Sequence, residues 1–385
     1  MAATLQRGDR VLNPPPEEDA AEFDRLAAAA EKVAESGNPR LWQALAEACL
    51  RRGRLDVAGR AVAAVRAADS VLPEDLAWQW ADALRNAQRW PEAAEQYAAL
   101  WQANHDVLAA LYLAGDAAEH AGRAAEGRKQ KDLAHRLALD SQRRRELAVS
   151  LLTHGLRQEA VAQLQLVLRT APCEHWEWND AARCLGDELA ESDPATAADL
   201  LQHSLLDDLR WNFYLLEPYD YVRTPAAIHR LRAKAAVASG DFAAADREIE
   251  LTLAAVPCDT HVAEDLVPLL EKAARRPQAE ALFERLHTAF RQRLEQYPQC
   301  ALLHNNLAWL SARCHRRLAE ALQHARQANE LVPNNAAYLD TLAEAQFRLG
   351  DRDAAIRHSR RAVQLRPQDE SLKKQLARFE RDPLP

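Results

Sequence analysis

Glycine is scarce in this chain, 11 of 385 residues, methionine occurs once, and strand-forming runs of Val, Ile and Thr are nearly absent. That argues against a sheet protein. The Ala- and Leu-rich remainder suits helices, because Ala and Leu give up little on entering a helix and Gly gives up most. No window reaches the roughly 18 apolar residues of a membrane span, and the first twenty residues hold no apolar stretch of signal-peptide length. A soluble, cytoplasmic protein without a membrane partner is expected. The phosphate-cradling GxxxxGK[ST] and GxGxxG, the HExxH and GxSxG of common hydrolases, and CxxC are all missing. No catalytic residue is assigned, and neither cofactor nor small-molecule substrate is expected. The pairs Cys173 with His175, Cys258 with His261, and Cys314 with His315 supply two ligands where zinc needs four, so no metal is assigned.

Charge is also modest. The net value of −8 argues against a nucleic-acid partner, which requires phosphate neutralisation. It is unevenly spread: residues 301–385 carry 14 Lys and Arg against 10 Asp and Glu. The basic residues Arg357, Arg360, Arg361, Arg366, Lys373, Lys374, Arg378 and Arg381 form either an acidic-partner patch or a solvated helix face. Six cysteines lie far apart and are expected to be reduced and mostly buried.

What the chain has in abundance is self-similarity near 34 residues. The clearest copy begins at Ala336, with Leu342 and Ala343 on a first helix, Gly350 at a turn, Ala355 and Ala362 on a second helix, and Pro367 closing the unit. Further copies begin near Pro39, Glu74, Leu108, Ser141, His175, Ala226, Val267 and Ala301. The series Ala46, Ala81, Gly115, Ala148, Ala182, Ala233, Ala274, Ala308, Ala343 marks where the two helices of each unit cross, since close crossing needs small residues. This pattern resembles the tetratricopeptide repeat (TPR). The resemblance implies an all-α fold, a right-handed α-α superhelix of about nine helix-turn-helix repeats.

Two arrays are expected. Residues 1–16 read as a disordered tail and residues 17–206 as the first array, opening with an amphipathic helix over 17–36. Residues 207–225 read as a joint, residues 226–369 as the second array, and residues 370–385 as a capping helix and tail. The joint carries Trp211, Phe213, Tyr214, Tyr219 and Tyr221, which serve either as a partner's anchor site or as irregular core.

By the same resemblance, the concave groove is lined by Gln43 and Glu47; Trp78, Asp82 and Arg85; Tyr112, Asp116 and His120; Arg145; and Asn179 and Arg183. Aromatic residues beside charged ones are enriched at protein-binding hot spots. The alternative is that Trp78 and Tyr112 pack against neighbouring repeats. The carboxylate clamp of chaperone-tail receptors is absent, with Gln43, Glu47, Gln79, Ala109 and Leu113 at its positions. The expected function is an interaction scaffold or adaptor binding a protein or peptide segment. The alternatives are a peptide-sensing regulator and an accessory subunit of an enzyme complex.

Overall fold

The computed structural model describes residues 25, 27–32, 39–68, 71–211, 220–367 and 369–383. The expected tail 1–16 and the residues Phe213, Tyr214 and Tyr219 lie outside them. Regular structure among the described residues is entirely helical. The order is α1 (Pro39–Arg51), α2 (Leu55–Ala68), α3 (Glu74–Asn86), α4 (Trp90–Ala103), α5 (Leu108–His120), α6 (Ala124–Leu137), α7 (Ser141–Thr153), α8 (Arg157–Thr170), α9 (Trp176–Leu189) and α10 (Pro194–Trp211). Then follow α11 (Asp220–Ser239), α12 (Phe242–Ala255), α13 (Thr260–Lys272), α14 (Arg276–Gln296), α15 (Ala301–Arg313), α16 (Leu318–Leu331), α17 (Ala336–Arg348), α18 (Arg352–Leu365) and α19 (Glu370–Arg381). Of the helix expected over 17–36, residues 27–32 are described and helical; Ala27 is buried and Glu31 pairs with Arg60 at 2.6 Å.

Short helices become hairpins because eight of the nine first helices, all but α9, stop at a defined residue. Gly53, Gln88, Gly122, Gly155, Gly240, Ala274, His315 and Gly350 all have positive φ, between 54° and 91°. At each one the next residue's N–H reaches back five residues, as from Arg54 to Cys49, Arg89 to Leu84, and Asp351 to Gln346, each at 2.9 Å. This is the Schellman closure, which favours glycine because left-handed backbone brings a Cβ against the following carbonyl. Gln88, Ala274 and His315 therefore carry a local cost. Ala274→Gly, at an exposed site, is expected to raise stability by about 0.5–1 kcal/mol in urea unfolding. Starts are fixed as well: Asp140, Asp241, Asp259, Asn335, Asp351 and Asp369 each cap a helix by accepting from a backbone N–H of its first turn.

Within a hairpin the crossing is close. Ala46, Ala81, Ala148, Ala182, Ala233, Ala308 and Ala343 are all fully buried. One position departs from the expected series. Ala274 is the exposed turn residue after α13, and buried Val267 occupies the crossing, so this repeat starts at Thr260, seven residues before the expected Val267. Pro268 and the absence of a turn glycine had hidden the frame. Side by side, the first helices stack α1 on α3, α5 on α7, α11 on α13, α13 on α15, and α15 on α17.

Two compact units result, Glu17–Glu188 and Leu189–Pro385. The division falls ahead of the segment 207–225, because α10 shares a core with α11: Ala197, Ala198 and Leu201 pack with Ile228 and Leu231. In the first unit α5 is buried from Leu108 to Ala118 on every face. In the second, α14 runs for 21 residues and buries Phe283, Leu286, His287, Phe290 and Leu294. The cysteines are free thiols, as expected, but their burial departs from expectation: Cys49 and Cys314 alone are buried, Cys184, Cys258 and Cys300 are half-buried, and Cys173 is exposed.

Candidate functional site

In the first unit the groove-position side chains lie on α1, α3, α5, α7 and α9, and several are bonded to one another or to neighbouring side chains. Gln43 donates to Glu47 at 2.9 Å, one turn on along α1. On α3, Asp82 accepts from the Tyr97 hydroxyl at 2.6 Å and lies 3.1 Å from Nε2 of His154, which comes from the end of α7. Trp78 packs beside the same two rings, 5.9 Å from Tyr97 and 6.4 Å from His154. Burial, then the Asp82 charge, pushes the Tyr97 hydroxyl far above the usual phenol range.

Ion pairs join successive first helices. Arg85 of α3 meets Asp116 of α5 at 3.3 Å, and Arg145 of α7 meets Asp180 of α9 at 2.5 Å. Asp180 also pairs with Arg183, and the Arg145 guanidinium lies 4.9 Å from the Trp176 ring centre. His120 stacks on Trp90 at 4.3 Å.

These contacts sort the expected residues. Trp78, Asp82, Arg85 and Arg145 are half-buried and Arg183 is exposed. Tyr112 differs from them. It is 2% exposed, with its ring against His135 of α6 at 5.2 Å, and Asp116 and Asn179 are buried as well. The reason is local: α5 is apolar around its whole circumference, and such a helix is core. Among the joint residues, Tyr221 is half-buried at the start of α11.

Sequence reasoning missed three features. Trp176, 49% exposed, is the largest accessible aromatic side chain of α9. His154 reaches a residue 72 positions away, for which no local signal exists. The third is a cavity of about 660 Å³ beside Trp78, walled by Leu72, Leu100 and Val107 and reached past Val71, which is 68% exposed. Arg66, Glu74, Gln96 and Asn104 supply polar groups to its lining.

In the second unit the Trp309 indole donates to Glu264 at 2.7 Å, again linking neighbouring first helices. Burial pushes the thiols of Cys184, in the first unit, up to about 11 and of Cys314, in the second, up to about 12, where thiolate is scarce. Arg360, Arg361, Arg378 and Lys373 of the basic C-terminal set bond to Glu380, Asn334, Glu344 and Glu370. Among the described residues, no group of three or more His, Cys, Asp or Glu is arranged to hold a metal ion, and no helix is long and apolar enough to cross a membrane.

No family model and no curated protein matches the chain. Among solved structures it is similar to yeast Tom70, at 13% identity over 94% of this chain and 85% of that one, with a TM-score of 0.39. It is also similar to TTC0263, a thermophilic TPR protein of Thermus thermophilus, at 17% identity over 52% of this chain and 98% of that one, with a TM-score of 0.35. A third is Naa15/Naa10 bound to HypK-THB, at 17% identity over 94% of this chain and 64% of that one, with a TM-score of 0.31. At such scores the chains do not superpose as wholes. The architecture given above stands on this chain's own hairpins, crossings and turns.

Proposed function

We propose that the chain is a protein-binding scaffold whose first unit holds a segment of a partner protein, with an apolar side chain of that segment seated in the cavity beside Trp78. The cavity is the observation that carries the reading. Its apolar walls desolvate a side chain, and the polar groups of Arg66, Glu74, Gln96 and Asn104 can pair with the main chain of the bound segment. Arg145 of α7 and Trp176 of α9 are further candidate contacts beyond Trp78 of α3. Their internal ion pairs and ring contacts hold these side chains in one rotamer, which lowers the ordering cost of binding.

An exposed alanine of α4, Ala99, lines the cavity and offers a test that leaves the core alone. Ala99→Trp is expected to fill the cavity and abolish retention of the partner from source-cell lysate, with the thermal unfolding of the wild type. Arg145→Ala is expected to weaken retention about tenfold, the usual order for losing a charged interface contact. A partner retained equally by Ala99→Trp and wild type removes the cavity from the reading.

A further inference from the structure

Three buried or half-buried imidazoles meet in the second unit, one from each of three consecutive helices: His287 of α14, His304 of α15 and His324 of α16. Nδ1 of His304 lies 2.8 Å from Nδ1 of His324, and Nε2 of His304 lies 3.0 Å from the Pro298 carbonyl oxygen. A carbonyl only accepts, so His304 carries its proton on Nε2 and presents a lone pair at Nδ1. His324 must then donate from its own Nδ1, which leaves its Nε2 as a lone pair. That atom faces Oε1 of Glu320 at 3.7 Å, and Nε2 of His287 faces the same oxygen at 3.3 Å.

With neutral rings both hydrogen bonds of His304 are made, while Nε2 of His287 has no hydrogen-bond partner, and the cluster cannot absorb several protons. One proton on His324 Nε2 has Glu320 opposite it. A further proton on His304 Nδ1 sets two N–H groups nose to nose and breaks the bond joining α15 to α16. A proton on His287, 2% exposed, competes for the one carboxylate that Arg317 also approaches, at 3.7 Å. The other charged groups facing His287 are Glu284 and Arg291 of α14 and Arg317, the residue before α16, while His324 faces His304, Glu320 and His287. Glu320 therefore faces two imidazoles, His287 and His324, and His304 has no carboxylate among its hydrogen-bond partners.

We infer that His287, His304, His324 and Glu320 form an acid-released latch, closed at neutral pH and opened by proton uptake, which frees the α15–α16 hairpin from α14. Burial holds His287 and His324 below the usual imidazole range, and the charge of His304 lowers His324 further. The sign follows. The unfolded chain takes up protons near pH 6.5 while the folded cluster refuses them, so stability is full above that pH and is lost as pH falls through it toward the depressed folded values.

Hydrogen exchange on the full chain tests this, with each amide corrected for its intrinsic rate. Between pH 7.5 and 5.5 protection in α15 and α16 is expected to fall about tenfold or more relative to α5 and α6, one decade per unit of uncompensated proton affinity. The double variant His304→Gln, His324→Gln is expected to lose that difference. Equal relative protection at the two pH values, or the same drop in the variant, overturns the latch. Imidazole NMR titration of the unmodified chain needs no variant. Titration of His287 and His324 in the range of a histidine in a model peptide overturns it as well, whereas uptake at lower pH, coincident with the loss of protection, supports it.

Discussion

Gly127→Ala is expected to cost the first unit about 3 kcal/mol or more and to lower its thermal midpoint by several degrees, followed by circular dichroism. Gly127 of α6 faces Gly115 of α5 with nothing between the two backbones. A Cβ on Gly127 would lie far inside contact distance of the Gly115 carbonyl oxygen, and one on Gly115 would lie 2.7 Å from the Gly127 carbonyl oxygen. Backbone cannot rotate away as a side chain does, so α5 and α6 must separate. Helix α5 is buried along Leu108–Ala118, and its separation disturbs the packing on either side. Gly59→Ala is the control. Its Cβ would meet only the edge of the Trp80 ring at 3.3 Å, and it gains helix propensity, so a change within about 1 kcal/mol is expected. Equal effects of the two substitutions would show that the close crossing is not what α5 depends on.

Asp340→Asn is expected to do the opposite and stabilise the second unit at pH 8. Asp340 of α17 is pushed up to about 7, first by burial and then by the charges of Glu344 and Asp369, with Arg378 and Gln375 opposing. A carboxyl raised in the folded state binds protons there more tightly than in the unfolded chain. It contributes nothing unfavourable at acid pH and costs stability as pH rises from about 4 to 7. The neutral amide removes that cost, about 1–3 kcal/mol after allowance for relaxation around the charge. Urea midpoints of wild type and variant should therefore converge near pH 4 and diverge by pH 8. Glu344 on the next turn differs. It is fully buried and held by Arg348 at 2.7 Å, by Gln375 at 3.2 Å and by Arg378. Glu344→Ala leaves two guanidinium groups without their acceptor and is expected to destabilise at every pH, by about 3 kcal/mol. A stabilising Glu344→Ala would contradict this account of the α17–α19 contact.

The fold was legible because it is written in small residues at a fixed period. Ala46, Ala81, Ala148 and Ala343 name their own crossings, and Gly53, Gly122, Gly155 and Gly350 name their turns. The frame slipped where both marks fail together: around α13 the crossing residue is Val267 and the turn residue is Ala274. The groove was less legible, since a helix-face assignment from spacing cannot tell an open face from a covered one. Tyr112 satisfies the same spacing as Trp78, yet the surrounding Ala and Leu of α5 bury it. Contacts such as Asp82 with His154 join residues two repeats apart, and no local pattern encodes them. The cavity arises from an absence of atoms between α2, α3 and α4, which a list of residues does not display.

Site-specific photo-crosslinking in source cells tests the scaffold reading most directly, with a benzophenone side chain placed at exposed Gln79, next to Trp78 and outside the cavity lining, or at exposed Arg128 of α6. The account predicts a discrete protein adduct from position 79 that is missing from position 128, mapped to one segment of the partner bearing an apolar residue. Adducts of the same pattern from both positions, or none from position 79, would contradict it.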